Sequence, residues 1–230
     1  MLVYFALSFA ILLAINFIVF FTLGNGTLSC ILKLFASIAF IVLGLTGYAT
    51  AESMTYGSSI VGILFLAGAG FGLVGDGVLA LLELDDKRNF LIIISGEIAF
   101  AIGHIFYFAG LLLVAPFTYW SVIVGAVLAA AIFVVGIKCM KLNFGKLLIP
   151  SIVYAFMLCT TMVQSIAGAI MLGGSLFSIL LAVGFTLFLL SDLVLSMIYF
   201  GGQKNHVTTS TNYALYYAAQ IVIMFAIFFI

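Results

Sequence analysis

Apolar positions run along this chain in stretches of about twenty residues, with short polar or glycine-rich breaks between them. The breaks read GNGT, TAESMTYG, ELDDKRN, APFTY, KCMKLNFGK, LGGS and GGQKNHVTTST. Each run matches the roughly 20 residues that a helix needs to cross about 30 Å of hydrocarbon. The pattern predicts eight spans, at residues 2–23, 30–49, 58–82, 90–114, 117–137, 147–170, 174–199 and 208–229. The expected fold class is an all-α polytopic membrane protein, one transmembrane domain over residues 1–230. Composition agrees. The chain is 67% hydrophobic and 6% charged, with mean hydropathy +1.45, whereas a soluble domain carries about a quarter of its residues as charges.

Charge adds an orientation. With eight spans, Lys33, Lys87, Arg88, Lys138, Lys141, Lys146 and Lys204 all fall on one side, and the side holding both termini has no Lys or Arg. The positive-inside rule makes the basic side cytoplasmic and both termini external. A bacterial inner membrane suits the short loops. The first run lacks a basic leader and a small-residue cleavage site, so it reads as a retained helix rather than a signal peptide. The zero net charge says nothing about nucleic acid, but there is no basic patch, and no nucleic-acid partner is expected. Cys30, Cys139 and Cys159 have neither disulfide nor metal-site spacing and read as small buried hydrophobes.

The chain also matches itself. Sliding it by 116 residues puts Asp76 on Asp192, Val78 on Val194, Leu79 on Leu195, Asn89 on Asn205 and His104 on Gln220. A parallel duplication with halves 1–114 and 117–230 would place sites at the interface of the repeats. Chance similarity between apolar helices is the alternative.

Ionisable residues inside the apolar runs are the candidates for chemistry, because a charge at membrane depth is expensive. Asp76, Glu97 and Asp192 each lie about seven residues from the basic side, roughly 10 Å of helical rise. His104, with Phe100 and Tyr107, shares a helix face with Glu97. Tyr213, Tyr216, Tyr217 and Gln220 make a similar stripe on the last helix, and Asp192 shares a face with Ser196. The polar groups of spans three, four, seven and eight are thus expected in one layer. Carboxyl groups crowded there with no buried Lys or Arg cannot all remain ionised. At neutral pH one acid is expected to hold a proton while a neighbour stabilises a cation or activates water. The plainer reading of Asp76 and Asp192 is as hydrogen-bonding partners between helices. The same reading, or simple packing, is open for Glu97, His104 and the tyrosines. Glycines 62, 68, 70, 72, 75 and 77 are expected to let helices approach closely. Glu83, Asp85, Asp86, Lys87 and Arg88 read as a solvated loop able to orient a headgroup.

Other chemistries lack their residues. There is no mid-membrane lysine in the last helices for retinal and no set of His and Cys for zinc. HExxH, GxSxG and P-loop motifs are missing, and Ser95 and Ser191 lack a flanking base arrangement. No metal or other cofactor is expected.

The motifs GLVGDGVL (72–79), GEIAFAIGHIFY (96–107), LFLLSDLVLS (187–196) and YYAAQ (216–220) resemble the lysoplasmalogenase, or YhhN-like, family of membrane proteins. Pro150, Tyr154 and Met162 fit the family's sixth helix. Lys33 stands where the family often has Lys-Pro, with Leu34 following here, and Glu97 is outside the usual pattern. The resemblance covers nearly the whole chain in order. It implies hydrolysis of the vinyl ether of lysoplasmalogens to a fatty aldehyde and glycerophosphoethanolamine or glycerophosphocholine. The catalytic pair it implies is Asp76 and Asp192. His104 and Gln220 would orient water or polar lipid groups, and Tyr107 and Tyr217 would line the pocket; Glu97 and Ser191 are expected beside them from their positions in the apolar runs. The implied partner is a lysophospholipid in the bilayer. The rival class is a proton-coupled carrier of a small molecule or lipid, or a non-catalytic lipid-binding protein, since acids near mid-depth serve those too.

Overall fold

In hydrocarbon a backbone N–H or C=O left unbonded costs several kcal/mol, so long apolar runs close their hydrogen bonds within helices. The computed structural model describes residues 1–24, 26–51, 56–84 and 90–230. Among these it has eight long helices: α1 Leu2–Thr22, α2 Gly26–Thr50, α3 Tyr56–Leu84, α4 Phe90–Val114, α5 Tyr119–Lys138, α6 Leu148–Met171, α7 Leu176–Tyr199 and α8 His206–Ala226. All eight are long and apolar enough to cross a membrane, and the chain is an integral multi-pass membrane protein. The charged residues 85–88 and the Glu83 side chain, expected as a solvated loop, lie outside the described residues.

The helix ends follow local chemistry. Asn205 caps α8: its side chain accepts from Thr208 N at 2.9 Å, and its own N–H reaches Thr208 Oγ1 at 3.3 Å, a reciprocal box that starts the helix two residues earlier than hydropathy predicts. α2 begins at Gly26, four residues before the expected start, because Thr27 and Ser29 extend the helix without being apolar. The reversal between α6 and α7 uses Gly173 and Gly174 at φ 64° and 72°, which side chains disfavour.

Neighbouring helices pack in hairpins, α1 with α2, α3 with α4, α5 with α6 and α7 with α8. Further contacts of α2 with α3 and α8, and of α6 with α4 and α7, close a ring in the order α2, α3, α4, α6, α7, α8. α1 seats against α2 and α8, and α5 against α6. Glycines set the tightest approach. A Cβ on Gly103 would stand 2.9 Å from the carbonyl oxygen of Gly68, and one on Gly68 would stand 2.6 Å from the Tyr107 ring. Gly62, Gly72 and Gly75 are similarly crowded. Gly70 has nothing within 4 Å of such a Cβ, and Gly77 meets Leu34 only at ordinary contact distance, so the expectation of close approach does not hold at these two.

Candidate functional site

α3 carries Asp76 between glycines that leave room for its surroundings. A Cβ at position 75 would meet Phe100 at 2.7 Å, and one at position 72 would meet Gln220 Nε2 at 2.9 Å. Asp76 is 3% exposed. Its Oδ2 accepts from Ser37 Oγ on α2 at 2.6 Å and from Tyr216 OH on α8 at 2.7 Å. Behind Tyr216, Gln220 Nε2 donates to the Tyr216 oxygen at 3.3 Å, and Tyr107 OH donates to Gln220 Oε1 at 3.0 Å. Tyr217 OH donates to the Lys33 carbonyl at 3.0 Å and lies 3.1 Å from Ser37 Oγ. Two helices thus converge on a carboxyl oxygen carried by a third.

Asp192 has different company. Its Oδ2 accepts from Tyr154 OH on α6. Nearby on the same groove, Glu97 Oε1 accepts from Ser151 Oγ at 2.7 Å, while Glu97 Oε2 is buried with no hydrogen-bond partner among the described residues. Ser191 and Asn212 clamp α7 to α8. Asn212 Nδ2 donates to the Ser191 carbonyl and hydroxyl, both at 2.9 Å, and Ser191 Oγ donates to the Asn212 carbonyl at 3.2 Å.

Two cavities share part of their walls here. A chamber of about 540 Å³ is lined by Asp76, Asp192, Lys33, Ser191, Asn212 and Tyr216 among others, with exposed Lys204 and His206 at its mouth. A groove of about 380 Å³ runs between α4, α5, α6 and α7, mostly along aliphatic and aromatic side chains. Glu97, Ser151, Tyr154, Asp192, Ser196 and Tyr199 are its polar side chains. Asp192, Leu79, Phe100, Leu195 and Tyr199 belong to both walls. The geometry therefore offers an amphipathic molecule a compartment with polar groups in its wall, a nearly wholly apolar one, and a carboxyl group on the wall they share.

Side chains of α3, α4, α7 and α8, His104 excepted, do come together around these cavities, and two features differ from expectation. The acids do not lie without a buried cation: Lys33 is 4% exposed and lines the chamber with Asp76. Its long stem lets a charge about two turns inside α2 reach the chamber. Spans two and six, which carry no acid, nevertheless supply Lys33, Ser37, Ser151 and Tyr154. The i, i+4 spacing of Ser29, Lys33 and Ser37 is the sequence signal that marks the α2 face.

Of the remaining expected residues, Ser191 and Glu97 line cavities, whereas Tyr107, Tyr217 and Gln220 lie behind the walls as a buried hydrogen-bonded support. His104 lines neither cavity. It is 1% exposed, its ring centre stands 4.8 Å from Phe188 and 5.8 Å from Tyr107, and neither ring nitrogen has a hydrogen-bond partner among the described residues. It packs as an aromatic among aromatics. Tyr216 lines the chamber in the role expected of Tyr217. Among the described residues, no three His, Cys, Asp or Glu side chains group as metal ligands.

Comparison with known families matches residues 28–227 to the YhhN family. No curated protein and no solved structure matches the chain.

Proposed function

The chain belongs to the YhhN family, and from that premise we propose that it is a lysoplasmalogenase-like hydrolase, cleaving the vinyl ether of a lysophospholipid inside the bilayer. The observation that carries the reading is that a chamber with polar groups in its wall and an apolar groove share Asp192, with Asp76 on the chamber side alone. A lysoplasmalogen has the same order of parts: alkyl chain, carbon–carbon double bond, ether oxygen, glycerol and headgroup.

Laid across the junction, the double bond presents its chain-side carbon to Asp192 and its ether-side carbon to the chamber. Asp192 gives a proton to the chain-side carbon as general acid. The positive charge that develops on the ether-side carbon and oxygen is stabilised by Asp76, whose carboxyl is held by Ser37 and Tyr216. Water from the chamber adds to the ether-side carbon and returns a proton to Asp192. The hemiacetal so formed breaks its bond to the glycerol oxygen, releasing a fatty aldehyde and a glycerophospho-base. Tyr154 orients Asp192 through its hydroxyl.

Aldehyde release from a lysoplasmenyl lipid by the purified, reconstituted protein tests this. Asp76→Asn and Asp192→Asn are each expected to lower the rate at least ~100-fold, the lower end of what a positioned acid contributes. Near-normal rates in both folded variants would remove the assignment. Lipid movement across the vesicle without aldehyde would replace the hydrolase with a carrier.

A further inference from the structure

The outer part of the chamber carries a set of donors for which the vinyl-ether step has no use. On α2, Ser29, Lys33 and Ser37 follow one another at i, i+4 and i+8 on one face, about 6 Å of rise per step. Ser37 ends this stripe at Asp76. Lys33 occupies its middle, its Nζ 5.1 Å from the centre of the Tyr213 ring. Ser29, at the outer end, is 1% exposed and lines the chamber, and its hydroxyl has no hydrogen-bond partner among the described residues. Thr209 on α8 repeats that arrangement: it lines the same chamber, is 6% exposed, and its hydroxyl is also without a partner among the described residues. Both hydroxyls belong to the first turn of a long helix, the end whose dipole favours negative charge. Exposed Lys204 and His206 edge the mouth beyond them.

Buried hydroxyls without partners cost free energy unless a ligand or solvent meets them. Two of them, from two helices, together with a buried ammonium group, suit an anion with several acceptor oxygens. A counterion for Asp76 alone would need neither hydroxyl. We infer that Ser29, Lys33 and Thr209 form a phosphate subsite that receives the phosphodiester of the lipid. The identity of that lipid rests on the vinyl-ether reading above, while the anion chemistry does not. The spacing fits a glycerol unit. Five covalent bonds separate phosphorus from the sn-1 oxygen, about 6 Å at ordinary bond lengths, and one helical turn separates Lys33 from the residue that binds Asp76. The subsite would set how far the lipid enters, and so which atoms reach Asp76 and Asp192.

The test compares two non-hydrolysable ligands of one chain length, 1-O-hexadecylglycerol and 1-O-hexadecylglycero-3-phosphoethanolamine. Binding to the full-length protein in detergent is followed by its intrinsic tyrosine fluorescence and by thermal stabilisation. The native protein is expected to bind the phospholipid at least about tenfold more tightly, a charge-assisted contribution. Lys33→Gln, and separately the pair Ser29→Ala with Thr209→Val, should erase that gap while hexadecylglycerol binds as before. A gap that persists in both variants overturns the subsite. So does an equal loss for both ligands in Lys33→Gln, the result expected if Lys33 serves Asp76 alone. If inorganic phosphate or glycerophosphoethanolamine competes with the phospholipid, and Lys33→Gln abolishes the competition, the subsite takes the free anion as well; phospholipid selectivity without competition assigns it to the lipid headgroup. An intact affinity gap in a protein that releases no aldehyde would sink the hydrolase reading and leave the subsite standing.

Discussion

Tyr154 is the residue on which the proposed acid depends most directly. Among the described residues its hydroxyl is the one side-chain donor to Asp192, and it comes from a different helix, so it fixes which way that carboxyl points where chamber and groove share a wall. Removing that donor leaves a buried carboxyl oxygen unsatisfied, which costs about 1–3 kcal/mol. Tyr154→Phe keeps the ring and its packing while removing the donor, so a fall in kcat of roughly tenfold or more, with the melting temperature shifted by only a few degrees, is expected. Unchanged kcat would mean that Asp192 needs no orientation. The two aspartates are legible in the sequence because a carboxyl in an apolar run is rare. Tyr154 and Ser37 are not, since a tyrosine or serine in a membrane helix is ordinary and only the arrangement of helices shows what it touches. His104 misleads for the complementary reason: its position on the Glu97 face suggests a site, yet the face at that depth is turned into a cluster of aromatic rings.

At the scale of the element, the α3–α4 hairpin holds Asp76, Phe100 and Glu97 in register, and it does so by backbone contact at Gly68 and Gly103. Membrane helices lack a hydrophobic drive to associate and rely on such packing. The Gly103 Cβ position faces the Gly68 carbonyl, which has no rotamer through which to retreat. Gly103→Val is therefore expected to cost about 1–3 kcal/mol by overpacking and to lower the melting temperature in detergent. Gly70→Ala, with open space around it, should leave stability unchanged, which separates close approach from any general intolerance of change in α3. A Gly103→Val protein as stable as the native one would show that the hairpin has slack. Element boundaries were readable from hydropathy to within a few residues. Those that moved did so where polar residues extend a helix, as at Thr27 and Ser29 of α2 and at the Asn205 cap of α8.

For the whole molecule, the pattern of packing suggests where a lipid chain enters. The pairings of α1 with α2, α2 with α3 and α3 with α4 have counterparts in α5 with α6, α6 with α7 and α7 with α8, and α2 meets α8 as α6 meets α4. This is the pattern a parallel duplication would leave, and it supports that proposal. One correspondence is broken. α1 closes against α8, with the Phe17 ring 4.7 Å from that of Tyr213 and the Phe21 ring 5.1 Å from it, whereas α5 makes no comparable contact with α4. The apolar groove occupies that second position, with Ile93 and Glu97 of α4 on one side and Ala131 and Ile132 of α5 on the other. An alkyl chain lying in the bilayer could slide in there laterally and bring its double bond to Asp192. Ala131 is exposed and lines the groove, so Ala131→Trp should fill it without crowding the interior. The expected outcome is a selective loss: long-chain lysoplasmenyl lipids should show KM raised about tenfold or more, the consequence of about 1.4 kcal/mol or more of lost chain burial, while short-chain analogues that stop near Asp192 keep their kcat/KM. An equal effect on all chain lengths would place the chain elsewhere, and no effect on any would leave the groove without a part in binding.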